Sequence, residues 1–289
     1  MASQVSTTSF TPWHWPPKPS MPFPSLATDE VHIWRSPLDT SPDLRTQLHA
    51  YLSEDEQDRA ARFRFDHHRH HFIVGRGILR VLLGRYVQQE PQDLVFGYSD
   101  RGKPFLSNPT SRSQGSLRTL GSQATALQFN VSHSGGVVLY AIARNRRVGI
   151  DLEEARTMPN AAQLVQRFFT EREYAQLLAQ PPEQQELAFF RGWTRKEAYL
   201  KATGEGIGGL ETVEVSLLEE QPRVLEAIAP DSDAVGMANS AMQWHIDDIP
   251  LDTNHRAAVV IETPEGASRQ YSTHFFEIAW TDRTGESSC

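Results

Sequence analysis

Two acidic residues alternate along a short segment whose pattern is typical of a β-strand. The segment Val148–Glu153 reads Val-Gly-Ile-Asp-Leu-Glu, and alternate side chains of an extended chain point to opposite faces. Asp151 and Glu153 therefore share a face with Gly149, and paired carboxylates beside a glycine can bind a hard cation such as Mg²⁺ through oxygen atoms. A strand with a solvated acidic face has the same pattern, so this pair alone does not establish a metal site.

A second group of side chains that could take part in catalysis lies on a predicted helix further along the chain. Glu197 and Lys201 follow Trp193 at intervals of four residues, which places all three on one helical face. Glu197 could bind a metal or accept a proton, and Lys201 could stabilise a phosphate or protonate a leaving group. A glutamate four positions before a lysine is also a common solubilising ion pair, so both interpretations stay open.

His133 lies in a segment of small residues, Ser132–Gly136, that precedes an apolar strand. Small residues allow the backbone to approach a phosphate closely, and a histidine can donate a hydrogen bond to an anionic oxygen. A turn with an ordinary histidine explains the segment equally well. Several cations could also gather around phosphates, although each could equally be a surface charge: Arg59, Arg62, Arg76, Arg101 and Lys103.

A dense group of histidines invites interpretation as a metal site: His67, His68, His70 and His71. Consecutive residues of a helix point in different directions, and the sequence offers no further ligand set beside them. We therefore interpret the group as a solvated segment that could line a nucleotide site.

Composition and charge exclude several classes of protein. A net charge of −8 disfavours a general nucleic-acid binder, because phosphate contacts need a basic surface. Cys289 is the only cysteine, which excludes a disulfide framework and fits a reducing, cytoplasmic compartment. No apolar run approaches the roughly 20 residues needed to cross a bilayer, and the Pro-rich N-terminus lacks a signal-peptide core. We expect a cytoplasmic protein that does not bind a membrane.

Motifs of other enzyme classes are missing or misplaced in the sequence. Gly204–Gly209 matches the pattern of a dinucleotide fingerprint, but it follows a predicted helix rather than a strand. The P-loop and the G-x-S-x-G elbow are absent, so kinase-like and α/β-hydrolase functions lose support.

Elements predicted from periodicity divide the chain into three parts. Residues 1–28 are predicted to form a flexible Pro-rich arm. The parts 29–143 and 144–289 each combine helices with antiparallel-looking strands, so we predict an α+β fold of two subdomains that share a seam near Asp151. Residues 107–123 and 229–241 are predicted to be an exposed loop and an insertion.

The expected elements follow from periodicity and capping signals. Helices are expected at about 41–52, 70–88, 161–178 and 186–203. A capping box formed by Ser53 and Glu56 predicts the start of a further helix directly after the first. Strands are expected at about 31–34, 94–98, 137–143, 148–153, 213–217, 243–246, 257–261 and 274–280.

Five segments, taken together, resemble the 4′-phosphopantetheinyl transferases, specifically the long, monomeric surfactin-synthetase type. They are Arg101–Pro104, Asn130–Ser134, Val148–Glu153, Arg167–Glu173 and Trp193–Lys201. They occur in the same order as in the family and at nearly the same spacing. Each segment alone is weak evidence for the family, whereas the ordered set is specific for it. The resemblance implies a pseudo-dimer of two similar α+β halves, with coenzyme A bound in the cleft between them.

The resemblance also implies an activity and roles for particular residues. The reaction would transfer the phosphopantetheine arm of coenzyme A to a serine of an apo acyl or peptidyl carrier protein, releasing 3′,5′-ADP. Asp151, Glu153 and Glu197 match Mg²⁺ ligands; Glu197 also matches the candidate base, acting directly or through water, and Lys201 a catalytic lysine near the phosphates. Coenzyme A binding is implied for a further set: Arg59, Arg62, Arg76, Lys103, Ser132, His133, Lys196 and Lys201.

Two other functions remain compatible with these residues. A metal-dependent phosphohydrolase would use Asp151 and Glu153 to break down coenzyme A or a nucleotide without a protein acceptor. A non-catalytic module would keep a degenerate site and only grip carrier proteins, but the retention of Glu197 and Lys201 beside both carboxylates argues against decay. We expect a monomer, because the two halves already supply a paired cleft. The pathway of the carrier protein stays open.

Overall fold

The computed structural model describes residues 9–15, 22–107, 127–158, 161–218, 224–227, 243–263 and 271–280. Its helices are α1 Pro42–Ala50, α2 Glu54–Ala61, α3 Asp66–Val87, α4 Ala161–Phe168, α5 Glu171–Leu178 and α6 Pro182–Thr203. Its strands are β1 Thr11–Trp15, β2 Glu30–Pro37, β3 Phe96–Tyr98, β4 Pro104–Leu106, β5 Leu127–Ser134, β6 Val137–Arg144, β7 Val148–Glu154, β8 Val213–Val215, β9 Val224–Ala227, β10 Gln243–Asp248, β11 His255–Thr263 and β12 Ser272–Trp280. Apart from Ser107, the predicted loop 107–123 and the predicted insertion 229–241 lie outside the described residues.

The two halves of the chain repeat one topology. In the first half, β2 precedes the 22-residue helix α3 and the hairpin β5–β6, and the strands are ordered β2-β6-β5 in the sheet. In the second half, β7 precedes the 22-residue helix α6 and the hairpin β10–β11, and the order is β7-β11-β10. In each half the strand before the long helix pairs with the last strand of the hairpin. This repeat confirms the predicted α+β pseudo-dimer.

The sheets lie between the long helices, and apolar side chains join the layers. Between the two sheets, Ile33 and Leu139 of the first pack with Ile150 and Val259 of the second. Helix α3 covers the other face of the first sheet. Helix α6 covers the other face of the second sheet, where small side chains such as Ala198 let it approach closely. The carboxylate face of β7 is therefore turned towards α6.

The two ends of the chain differ from the predicted division into parts. Strand β12, which was assigned to the second half, lies in the sheet of the first half, between β1 and β2 and parallel to both. The arm predicted to be flexible contributes β1, whose Trp13 is buried against Phe23 and Trp34. Periodicity identifies a strand but does not say which sheet it joins, because pairing between distant strands depends on the whole topology.

A helix-capping motif explains a smaller difference between the predicted and the observed helices. Residues 161–178 were predicted as one helix, but the structure has α4 and α5, separated at Phe169 and Thr170. Thr170 and Glu173 form a capping box that starts α5, and such a box favours a new helix start over continuation. The capping box predicted for Ser53 and Glu56 is confirmed at the start of α2.

Candidate active site

Helix α6 lies directly against strand β7 because Gly149 has no side chain at their point of contact. A Cβ atom at Gly149 would come within 2.4 Å of the backbone nitrogen of Ala202. This close approach brings Glu197 and Lys201 of the helix to the strand face that carries Asp151.

Asp151 is the centre of the resulting cluster and is only 3% exposed. Its Oδ1 accepts hydrogen bonds from Nζ of Lys201 at 2.5 Å and from Oγ of Ser132 at 3.0 Å. Its Oδ2 is buried and has no hydrogen-bond partner among the described residues. Because an unpaired buried carboxylate oxygen is costly, this atom is poised to accept a ligand.

The charges of Asp151 and Lys201 also act on Glu153 and Glu197, the two other predicted metal ligands. Burial raises the pKa of Glu153, the charge of Asp151 raises it further, and Lys201 opposes the shift. Burial and the charge of Asp151 likewise raise the pKa of Glu197, again against Lys201. Like charges that share a site disfavour one another's ionisation, so a bound divalent cation would relieve the repulsion among the three carboxylates.

These residues fit Mg²⁺ in the way proteins usually bind it. Within the described ranges, no group of three or more His, Cys, Asp or Glu side chains forms a ready-made metal cage. Mg²⁺ does not require one, because it is commonly held by one or two carboxylates together with waters and substrate phosphates. The unpaired Oδ2 of Asp151 and the oxygen chemistry of Glu153 and Glu197 suit such a partial site.

Lys103 reaches from the first half of the chain to the second. Its Nζ donates to the carbonyl oxygen of Val148 at 3.2 Å and to that of Lys201 at 2.5 Å. Burial lowers the pKa of Lys103 to about 8, and the charge of Arg147 contributes. The ammonium group therefore contacts the backbone of β7 and α6, and Lys103 also lines a second cavity of about 380 Å³, together with Arg101 and Thr203.

A cavity of about 480 Å³ lies between α3 and β5, and it approaches the carboxylate cluster at Ser134, whose Oγ is 3.5 Å from Oε2 of Glu153. His133, on the face of β5 opposite Ser132, lines it together with Arg59, Arg76 and three of the clustered histidines, His67, His68 and His71. Loss of solvent lowers the pKa of His133, and the charges of Lys201 and His71 lower it further. The cavity thus combines apolar walls with cationic and titratable groups, which suits a ligand that carries phosphate.

Arg76 belongs to a buried network at the wall of this cavity. Its Nε donates to Oε1 of Glu56 at 2.5 Å, and Nε of Arg80 donates to Oε2 at 2.6 Å. Burial tends to raise the pKa of Glu56, but the two guanidinium groups outweigh it and hold the pKa below its usual range. Two cations share one carboxylate, so the network keeps a surplus positive charge beside the cavity.

The structure does not bring every predicted coenzyme A-binding residue to the cleft. Lys196 is fully buried in an ion pair with Glu173, which is also fully buried. Arg62 ends helix α2 and is exposed, and it does not line the cavity that contains Arg59. Lys196 therefore stabilises the packing of α6 inside the second half, and its role in binding coenzyme A stays a prediction.

Sequence reasoning missed the roles of Asn130 and Ser134. Both side chains accept hydrogen bonds from backbone amides of β7. The available signal was the polar alternation Asn-x-Ser-x-Ser in Asn130–Ser134, which is the period of a strand with one polar face.

Two models of protein families match the chain and together span most of it. One, described as the 4′-phosphopantetheinyl transferase superfamily, matches residues 147–260. The other, described as 4′-phosphopantetheinyl transferase, N-terminal, matches residues 39–145. The boundary between the matches falls in the turn between β6 and β7, where the repeated topology begins again.

Individual proteins are similar over most of the chain. The 4′-phosphopantetheinyl transferase HetI of Nostoc sp. is 42% identical over 86% of this chain and 93% of its own length. The 4′-phosphopantetheinyl transferase psf-1 of Bacillus pumilus is 30% identical over 76% of this chain and 83% of its own length. A solved structure of Thermotoga maritima holo-[acyl-carrier-protein] synthase is 21% identical, with a TM-score of 0.30, over 41% of this chain and 63% of that chain. That structural likeness is too low to carry an argument. No helix in the described part of the chain could span a membrane.

Proposed function

This chain belongs to the 4′-phosphopantetheinyl transferase superfamily, and we propose that it transfers the 4′-phosphopantetheine arm of coenzyme A to a serine hydroxyl of apo acyl or peptidyl carrier proteins. The proposed reaction depends on Mg²⁺ and releases 3′,5′-ADP. We further propose that the enzyme is a monomer, because one chain supplies both halves. We propose that it works in the cytoplasm, because its single cysteine fits a reducing compartment.

The observation that carries the proposal is the position of Asp151. Its buried carboxylate joins Lys201 and Ser132 on one side and presents the unpaired Oδ2 on the other. The cavity lined by His133 and Arg76 adjoins this cluster. Anion-binding groups beside an oxygen-donor metal site are what the transfer of a phosphoryl group from a pyrophosphate requires.

The proposed chemistry assigns a task to each group. The serine oxygen of the carrier forms a bond to the phosphorus that bears the pantetheine arm, and the bond from that phosphorus to the 3′,5′-ADP oxygen breaks. Asp151, Glu153 and Glu197 would hold Mg²⁺, which when bound offsets the charge that grows on the phosphate oxygens. Lys201 and His133 would donate hydrogen bonds to those oxygens.

The serine proton needs an acceptor within the cluster. Glu197 is the candidate, directly or through a water. Lys201, which touches Asp151, would stabilise the leaving 3′,5′-ADP.

The test is the intact mass of an apo acyl carrier protein, and separately of an apo peptidyl carrier protein, after incubation with this protein, coenzyme A and Mg²⁺. We expect the mass to increase by one phosphopantetheine and the increase to be lost with EDTA. Breakdown of coenzyme A without carrier modification would instead establish a hydrolase. Binding of coenzyme A with no turnover on any carrier would establish a non-catalytic module, and either result would overturn the proposal.

A further inference from the structure

Strand β7 is an edge strand of its three-stranded sheet, and its free edge faces β5 of the other half. In an antiparallel sheet, every second residue of an edge strand directs both its backbone N–H and its C=O away from the neighbouring strand. The residues that point away from β11 must therefore find other hydrogen-bond partners, because buried backbone groups are rarely left unpaired. The two sheets do not continue into each other by a backbone ladder at this point.

Side chains from the first half occupy this edge in register. Oδ1 of Asn130 accepts from the amide of Ile150 at 2.8 Å. Oγ of Ser132 accepts from the amide of Leu152 at 3.2 Å, and Oγ of Ser134 accepts from that of Glu154 at 3.0 Å. Nζ of Lys103 donates to the carbonyl oxygen of Val148. We call these four side chains the edge clamp: Lys103, Asn130, Ser132 and Ser134.

The edge clamp also contacts the residues of the proposed active site. Ser132 bridges Asp151 and Lys201, at 3.0 and 3.1 Å. Oγ of Ser134 lies 3.5 Å from Oε2 of Glu153, and Lys103 holds the carbonyl oxygen of Lys201. One row of polar groups thus fixes both the backbone of β7 and the side chains that it carries.

The clamp couples two parts of the site that belong to different halves of the chain. His133 lies between Ser132 and Ser134 on β5 and points to the opposite face, into the cavity. A slip of β7 by one residue would exchange the faces of the strand, and a slip by two would move Asp151 away from His133. The pairing of Asn130 with Ile150 and of Ser134 with Glu154 belongs to the observed register, in which Ser132 contacts Asp151.

We propose that Asn130 and Ser134 are positioning residues that hold the carboxylates of β7 in register with the phosphate-binding cavity on β5. The inference rests on the proposed function, because it assigns roles within the same reaction. Both residues act through backbone amides of β7, those of Ile150 and Glu154; Asn130 does not line the cavity, whereas Ser134 lies at its edge. Asn130 is 7% exposed, so water competes poorly for its hydrogen bond.

The first test uses Asn130→Ala, which removes the acceptor for the amide of Ile150. We expect kcat to fall by about 10- to 100-fold, as for partners that orient metal ligands, and the half-saturating Mg²⁺ concentration to rise. The KM for coenzyme A should stay close to wild type, because the cavity is untouched. Ser36→Ala is the control, since Ser36 is a buried strand serine of the same sheet whose hydroxyl donates to the adjacent carbonyl oxygen of Pro37.

A second readout does not depend on activity. In hydrogen–deuterium exchange of the free protein, Asn130→Ala should accelerate the exchange of the Ile150 amide, and Ser36→Ala should leave it unchanged. If the wild type modified no carrier, the proposed function would fail while this exchange result could still hold, so the two failures are distinguishable.

If Asn130→Ala does not fold, the variants Ser134→Ala and Ser134→Thr test the proposed positioning role instead. Loss of kcat in the alanine variant, with a KM for coenzyme A close to wild type and recovery in the threonine variant, which keeps the hydroxyl, supports positioning. Wild-type kcat and Mg²⁺ dependence in folded Asn130→Ala and Ser134→Ala, or equal loss in both Ser134 variants, overturns the proposal.

Discussion

A Cβ atom added to Gly149 would lie 2.0 Å from the carbonyl oxygen of Ala198. The obstructing atom is helix backbone, which cannot rotate out of the way as a flexible side chain can. Strand β7 and helix α6 thus meet at a distance that only glycine permits, and this contact sets the positions of Glu197 and Lys201 relative to Asp151.

We therefore expect Gly149→Ala to push α6 away from β7. Overpacking of this kind costs about 1–3 kcal/mol or more, and the carboxylates would separate from the helix. Urea unfolding should show lower stability, and transfer to a carrier protein should be lost. Gly208→Ala is the control, because an added Cβ there meets nothing within 4 Å. Wild-type activity in Gly149→Ala would show that the contact does not set the site.

Glu197→Gln should separate activity from stability. Burial and Asp151 raise the pKa of Glu197 in the folded protein. A carboxyl with a raised pKa contributes stability below its unfolded pKa and loses it as pH rises through the folded value. Its ionised form near pH 7 is therefore destabilising, and the glutamine variant should have an equal or higher Tm there, with transfer reduced by about 100-fold or more.

The control for this variant is Glu171→Gln, in the exposed first turn of α5. It should leave activity near wild type. Thermal unfolding at neutral and acidic pH checks the sign, because any gain in Tm for Glu197→Gln should shrink as pH falls. A lower Tm at neutral pH would contradict the electrostatic account.

Protons and Mg²⁺ should compete for the carboxylate cluster. The pKa values of Glu153 and Glu197 are both raised, mainly by burial and then by Asp151, and a carboxylate must be deprotonated to bind the metal. The half-saturating Mg²⁺ concentration should therefore increase as pH is lowered. Titration of transfer activity against Mg²⁺ at several pH values measures this, and a pH-independent value would count against these ligands.

His32 is expected to make the first half sensitive to acid. It is 2% exposed, and its Nδ1 lies 2.7 Å from the hydroxyl of Tyr86, which accepts from Nε1 of Trp34. The hydroxyl can then donate to a neutral His32. Burial lowers the pKa of His32 to about 4, although Glu30 opposes this.

The sign of the effect follows from this depressed pKa. Stability is fully present above the unfolded pKa of about 6.5 and declines as pH falls towards 4, by about 3 kcal/mol in total. His32→Gln keeps an acceptor for Tyr86 and should flatten this dependence. Urea midpoints at several pH values between 4 and 7 test it, and an equal pH slope in both proteins would assign the acid sensitivity elsewhere.

Lys196 is predicted to be essential for folding rather than for binding coenzyme A. Removing its charge in Lys196→Met leaves Glu173 buried without its partner, which typically costs about 3–5 kcal/mol. The double variant Lys196→Met with Glu173→Gln should recover much of that stability, and its KM for coenzyme A should match the wild type. A large rise of KM in a folded double variant would restore the binding role predicted from the sequence.

Local patterns were sufficient to place the candidate site residues on shared faces. The period of two placed Asp151 and Glu153 on one face, and the interval of four placed Glu197 and Lys201 together, because both periodicities are properties of the backbone itself. The order of the motifs then indicated the family and two similar halves.

Tertiary structure decided which charged groups serve the site and which serve the fold. Lys196 and Lys201 belong to the same helix, yet one is buried against Glu173 and the other meets Asp151, because the packing of α5 and β7 around α6 determines the surroundings of each side. Likewise β12 joins the sheet of the first half, and Asn130 pairs with the edge of β7. Such contacts link residues far apart in sequence, and no local periodicity encodes which distant partner a strand edge or a buried charge will meet.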